Sequence, residues 1–196
     1  MNDGAIVEFH GPYSLGSETF LFSEQPYSLS NGVYILAWPS GDDHFPHYIG
    51  MTQGRLADRI ATHLRNFLSG QYWVYSTAYL VEACGFPGQK PTSSPDKYIY
   101  GPPTSENFTQ RFIPKLVEEL GPQLIEYLRT LRFFLAPLEQ ASREELLDIE
   151  AALTERAYAG EARYVIDSPE PKRAIPDGLQ NIVVRFTSGA RMRGLV

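Results

Sequence analysis

The chain has 196 residues, 17 basic and 23 acidic, for a formal charge of −6. That length suits one domain with elaborations, and a composition 43% hydrophobic and 13% aromatic excludes wholesale disorder. A single cysteine, Cys84, excludes an internal disulfide framework and a thiolate-rich zinc site. The first residues, Met-Asn-Asp-Gly-Ala-Ile-Val-Glu, lack the basic stretch and apolar core of a signal peptide, and no apolar run is long enough to span a bilayer. A cytoplasmic protein with no membrane partner is therefore expected. The acidic balance argues against a non-specific polyanion binder, but charge is segregated along the chain. Residues 139–150 are acidic, whereas Arg55, Arg59 and Arg65 crowd one stretch, and Lys172, Arg173, Arg185, Arg191 and Arg193 lie near the C-terminus.

Residues 1–30 alternate short apolar runs (Ala5 to Phe9, Thr19 to Phe22) with Gly, Pro and Ser, which predicts small strands or an extended arm. Gly32 to Trp38 is apolar on both alternating faces, as in a central strand. Pro39 to Asp43 is a turn cluster and His47 to Thr52 a second short run, together a hairpin with a loop of moderate length. Asp42, Asp43, His44 and His47 form a short Asp/His cluster there, better read as a solvated turn than as a metal site.

A helix is predicted from about Arg55 to Leu68, with Leu56, Ile60, Leu64, Phe67 and Leu68 as its buried stripe. At about 100° per residue, Arg59 and His63 lie four positions apart on one edge of that stripe. Tyr72, Trp73 and Tyr75 follow and read as core aromatics, although an exposed one would be able to stack on a base. Residues 83–108 are rich in Pro, Gly, Ser and Thr and are expected to be mostly loop. Two helical pieces, about 113–120 and 122–130, are separated by Gly121-Pro122, and Leu131 to Ala136 reads as a strand. Ser142-Arg-Glu-Glu145 is a capping-box pattern opening a helix to about Ala159. On that helix Glu150 falls among Leu146, Leu153 and Ala157, and a carboxylate on an apolar stripe costs several kcal/mol unless it has a partner. A buried Arg, a raised pKa or a metal ion would each explain it. Leu179 to Phe186 reads as a late strand, and Arg191-Met-Arg193 as a mobile tail.

Gly32-Val33-Tyr34, then Tyr48-Ile49-Gly50, then Arg59 and His63 on a helix, then Glu150 on a later one, form an ordered series. It resembles the GIY-YIG nuclease family over about Asn31 to Tyr158, and its Arg-x-x-x-His spacing is most similar to the compact restriction endonucleases of that family. The resemblance implies an α/β (α+β) domain with a small, mostly antiparallel three-stranded sheet flanked by helices. The core would span residues 31–160, with an insertion at about 83–112, an N-terminal arm at 1–30 and a C-terminal extension at 161–196. It also implies Mg²⁺-dependent hydrolysis of double-stranded DNA, with Mn²⁺ as a substitute and a homodimer matching a palindromic target. Glu150 would ligate the metal and Arg59 would clamp the scissile phosphate. Tyr34 would act as general base, Tyr48 would position water or phosphate, and His63 would polarise Tyr34 or contact the phosphate. Two departures stand out: valine at position 33, and no asparagine about a dozen residues after Glu150, the next being Asn181. The alternatives are a catalytically silent binding module and a structure-selective repair nuclease.

Overall fold

A computed structural model of the protein describes residues 5–15, 26–85, 90–91, 96–101, 108–171 and 173–195. Its centre is a mixed sheet. Strands β1 (Ile6–Ser14), β2 (Gly32–Ser40), β3 (Asp43–Thr52), β6 (Arg132–Pro137), β7 (Val183–Phe186) and β8 (Arg191–Met192) lie in the order β7-β1-β6-β2-β3-β8. The inner pairings are antiparallel, and the two outer ones, β1 with β7 and β3 with β8, are parallel. A second sheet pairs β4 (Val74–Tyr75) with β5 (Tyr98–Tyr100). The expected small three-stranded antiparallel sheet is therefore wrong: the sheet is six-stranded and mixed.

The added strands were hard to read for physical reasons. Gly11-Pro12 interrupts the alternation of β1, and the register with β6 shifts between His10 and Tyr13, where a proline without an N–H is tolerated. β7 and β8 are four and two residues long, too short to show a period, and their partners lie far away in sequence. The tail expected to be mobile is held: Met192 pairs with His44, and Arg191 and Arg193 both bind Asp43, at 2.9 and 2.7 Å. The hairpin turn is also tighter than expected. Ser40 pairs with Asp43, leaving Gly41 (φ 59°) and Asp42 as a two-residue turn that needs positive φ.

Helices cover the two faces unequally. Helix α1 (Leu56–Leu68), α2 (Thr77–Gly85) and the run from α3 (Phe108–Lys115) through a π turn (Leu116–Leu120) to α4 (Gly121–Thr130) pack on one face. Helix α5 (Arg143–Ala159) packs on the other. The run 108–130 is unbroken where two separate pieces were expected. Pro122 takes the first turn of α4, where its missing N–H matters least, and the wider π turn precedes it. Within 83–108, the described residues include the end of α2, β5 and the first residue of α3, regular elements where loop was expected; the rest of that stretch, and Thr19 to Phe22, lie outside the described residues. Helix α5 opens on the expected capping box. The Ser142 hydroxyl accepts from the Glu145 N–H at 3.3 Å, and the Glu145 carboxylate accepts from the Ser142 N–H at 2.8 Å.

The β2 register separates the two layers. Val33, Ile35 and Ala37 join the aliphatic layer under α5, whereas Tyr34, Leu36 and Trp38 point into the aromatic layer under α1 and α4. The turn before β2 ties both layers to the strand, since Ser30 O accepts from Leu56 N–H at 2.9 Å and Asn31 O from Leu138 N–H at 3.0 Å. No helix among the described residues is long and apolar enough to cross a membrane.

Candidate active site

Four side chains meet where β2 and β3 pass under α1. Tyr34 is fully buried, and its hydroxyl lies 2.6 Å from His63 Nε2 and 3.1 Å from Arg59 Nε. Arg59 also lies close to Tyr48, where its charge favours the ionised phenol. The Tyr34 and Tyr48 rings stack with centroids 6.2 Å apart, and His63 sits edge-on to both, at 5.4 and 4.9 Å. The four-residue spacing on α1 is what presents Arg59 and His63 to one hydroxyl. Gly50, paired with Tyr34 across the hairpin, makes the convergence possible. A Cβ there would overlap the Tyr34 hydroxyl and lie 2.8 Å from Tyr48 Cε1.

Glu150 approaches from the opposite layer, at the open edge of β3. That edge is closed one group at a time by the chain that follows α5. His47 O accepts from Asp167 N–H at 2.6 Å, and the Ser168 hydroxyl bridges Ile49 N–H and Ile49 O at 2.6 and 3.0 Å. Next along the edge, the Glu150 carboxylate lies near the Met51 N–H, which favours its ionised form. Outward N–H groups recur at every second residue, so position 51 faces Glu150 as 49 faces Ser168. Half-buried Glu150 thus reaches the site beside Gly50, close enough to Arg59 for the cation to favour its ionised form.

The electrostatics follow from burial. Desolvation pushes the Tyr34 phenol well above the usual tyrosine value, and Tyr48 opposes ionisation further, although Arg59 pulls the other way. Tyr34 therefore rests as a phenol, not as the phenolate that a general-base role alone would suggest. Burial and the Arg59 charge push His63 down to about 4, so it is neutral at pH 7. A neutral imidazole facing a phenol at 2.6 Å accepts the phenol proton on Nε2 and carries its own on Nδ1. Burial raises Tyr48 as well, and raises Glu150 above the usual carboxylate range. Glu150 has hard oxygen donors at a partly solvated edge, which suits Mg²⁺, a cation satisfied by one carboxylate and several waters. Among the described residues no group of three or more His, Cys, Asp or Glu gathers to hold a metal, so a cation here would rest on Glu150 and water.

The other sequence candidates disperse. His47 is 2% exposed and fully committed: Nδ1–H donates to Val165 O at 2.7 Å, and Nε2 accepts from the Tyr127 hydroxyl at 2.6 Å. The His44 ring lies edge-on to Phe134 and Asp43 belongs to Arg191 and Arg193; Asp43, His44 and His47 are on β3 with Asp42 in the turn, and among the described residues they form no metal site. Asn181 is exposed, just before β7 at the other end of the strand order from β3, and no hydrogen bond ties it to the site among the described residues. Arg173 is paired with Glu144 and Asp148, so three of the C-terminal basic residues serve internal ion pairs. Asp167 and Ser168 had no sequence signal, because their role arises only from long-range pairing with β3. No protein-family model, curated protein or solved structure matches the chain.

Proposed function

We propose that the protein is a Mg²⁺-dependent endonuclease that hydrolyses phosphodiester bonds of double-stranded DNA, with Mn²⁺ as a substitute cation. The observation that carries this reading is the convergence of Tyr34, Tyr48, Arg59 and His63, with Glu150 near Arg59, from four elements and both layers. A silent module has no need to bury a hydrogen-bonded tyrosine, histidine and arginine against one another, where each unpaired polar group costs about 1–3 kcal/mol. Mg²⁺ held by Glu150 supplies positive charge at the phosphoryl oxygens and a water of lowered pKa.

The chain's own residues handle the proton and the phosphate. As water attacks phosphorus, its proton passes to the Tyr34 oxygen while the Tyr34 proton moves to His63 Nε2 along the 2.6 Å hydrogen bond. A P–O bond forms on one side and the bond to the leaving sugar oxygen breaks on the other. That oxygen takes its proton from solvent, and the imidazolium is neutralised afterwards. The Arg59 Nε–H stabilises negative charge on Tyr34, and because the side chain is partly exposed its guanidinium would be open to a phosphate. Tyr48, half-exposed beside Tyr34, bounds the place of the attacking water.

The test is cleavage of supercoiled and linear DNA with Mg²⁺, Mn²⁺ or EDTA, wild type beside Glu150→Ala. Discrete metal-dependent fragments that vanish in the variant are expected, and a palindromic cut site would go with a homodimer in gel filtration. Metal-dependent nicking without discrete fragments would favour the repair nuclease. No cleavage by a folded protein under any metal would overturn the reading in favour of a silent binding module.

A further inference from the structure

One cavity adjoins the site without being needed for hydrolysis. It measures about 220 Å³ and opens between the turn after α1 and the segment that follows α5. Tyr48 and His63 form its inner wall and are shared with the catalytic cluster. Tyr72 and Trp73 form the outer wall, and Trp73 is 45% exposed. Asp167 is the one carboxylate in the lining, and its Oδ1 accepts from the Tyr75 hydroxyl. His47 also lines the cavity, but both its ring nitrogens are occupied.

We infer that this cavity receives a single nucleobase turned out of the stack beside the scissile phosphate, and that it selects guanine. The inference rests on the nuclease reading and adds the substrate feature that the site would choose. Three observations carry it. The volume is below the roughly 300–1,000 Å³ of drug-sized sites, so it suits one planar ring system. The walls are aromatic, and a base of any kind stacks on such walls. The one carboxylate among the lining residues, Asp167, is an acceptor whose oxygens each have two lone pairs, so it can receive a pair of donors although Oδ1 already accepts from Tyr75. Guanine presents N1–H and N2–H side by side, a donor pair that a carboxylate receives with both oxygens. Adenine and cytosine offer one amine beside an acceptor nitrogen that would face the carboxylate, and thymine offers one imide N–H between two carbonyls. Because Tyr48 and His63 belong to both cavity and cluster, a base seated there keeps its own phosphate near Arg59. Extrusion costs unstacking and unpairing, which contacts in the cavity offset.

The test reads binding without cleavage. Fluorescence anisotropy in EDTA would follow labelled short oligothymidylates carrying one central guanine, inosine, adenine or cytosine, or no substitution. The guanine strand is expected to bind about tenfold tighter than the all-thymine strand. Inosine, which lacks the N2 amine, should give back about threefold of that preference on the unaltered protein. Asp167→Asn should abolish the guanine preference and leave all-thymine binding unchanged. Because Asp167 also holds Tyr75, Tyr72→Ala is the second variant and should weaken the guanine strand more than the all-thymine strand. Equal affinity for all strands, or a guanine preference indifferent to inosine, overturns the inference. Since no metal or cleavage enters, failure here leaves the hydrolysis assay untouched, and failure of that assay leaves this one readable.

Discussion

The two layers of the molecule are built from different materials. Under α5 the core is mainly aliphatic: Val33, Ile35, Ala37, Ile49, Leu146, Leu153 and Ala157 fill it beside Phe9 and Phe134, with few polar atoms. Under α1 and α4 the core is aromatic and hydroxylated, with Tyr34, Tyr75, Tyr79, Tyr100 and Tyr127 buried together. Each of those hydroxyls has a partner: His63, Asp167, Tyr164 O, Gly70 O and His47 respectively. The aliphatic layer gains from burial alone, at roughly 25 cal/mol per Å² of apolar surface. The aromatic layer has to satisfy every polar tip, so its side chains are fixed in direction as well as place. Fixed direction is what a site needs. Glu150, on the helix of the aliphatic side, comes close enough to Arg59 of the other layer to feel its charge.

This difference is open to attack by substitution. Tyr34→Phe should bring the largest change: cleavage falls about 10²–10⁴-fold, since the proton path to His63 is cut, while the fold loses only about 1 kcal/mol for one hydrogen bond. Leu153→Ala, fully buried under α5, should do the reverse. Chemical denaturation would show a loss of about 2–5 kcal/mol with the rate per folded molecule unchanged. If Leu153→Ala lost cleavage at a temperature where it remains folded, the aliphatic layer would be more than support and the division would fail.

What the sequence revealed divides along the same line. The hairpin β2–β3, helix α1 and the capped helix α5 were legible because each is a local pattern: alternation, a helical stripe, a cap. The residues of the proposed site were legible as a set because they sit on those three elements, in an order that resembles a known nuclease series. The sheet beyond them was not. β1 is interrupted by Gly11-Pro12, and β7 and β8 become strands only through partners more than a hundred residues away. Asp167 and Ser168 belong to the same class, since their roles are set by the odd-numbered edge of β3 and nothing near them in sequence announces it. The pairing of Tyr34 with His63 was among the expectations but the protonation of Tyr34 was not, because burial outweighs the neighbouring Arg59 only once the α1 packing is known.

The aromatic layer should also be the acid-sensitive one. His63 is held down to about 4 from an ordinary 6.5, so between those values the unfolded chain binds the proton and the folded protein does not. The stability from keeping His63 neutral is complete above about pH 6.5 and is lost as pH falls toward 4, roughly 3 kcal/mol in all. Burial lowers His47 too, which adds in the same direction. Urea unfolding across that range should show the slope, and His63→Asn should flatten part of it. A pH-independent midpoint would mean that His63 is solvated in the folded protein.

Glu150 gives the smallest effect and the sharpest contrast. Its carboxyl is raised, mainly by burial, so the folded protein pays for ionising it at neutral pH. The contribution has the sign of a raised acid: favourable below the ordinary value and lost as pH climbs through the folded one. Glu150→Gln removes that cost and keeps an acceptor for the Met51 N–H. Melting at pH 7 should rise slightly, by less than about 1 kcal/mol after allowing for solvent at a half-exposed edge, while cleavage is lost. A structural ion pair with Arg59 predicts the opposite, because removing one partner would leave the other cation unpaired and lower the melting temperature. The direction of a small shift therefore separates a carboxylate kept for chemistry from one kept for the fold.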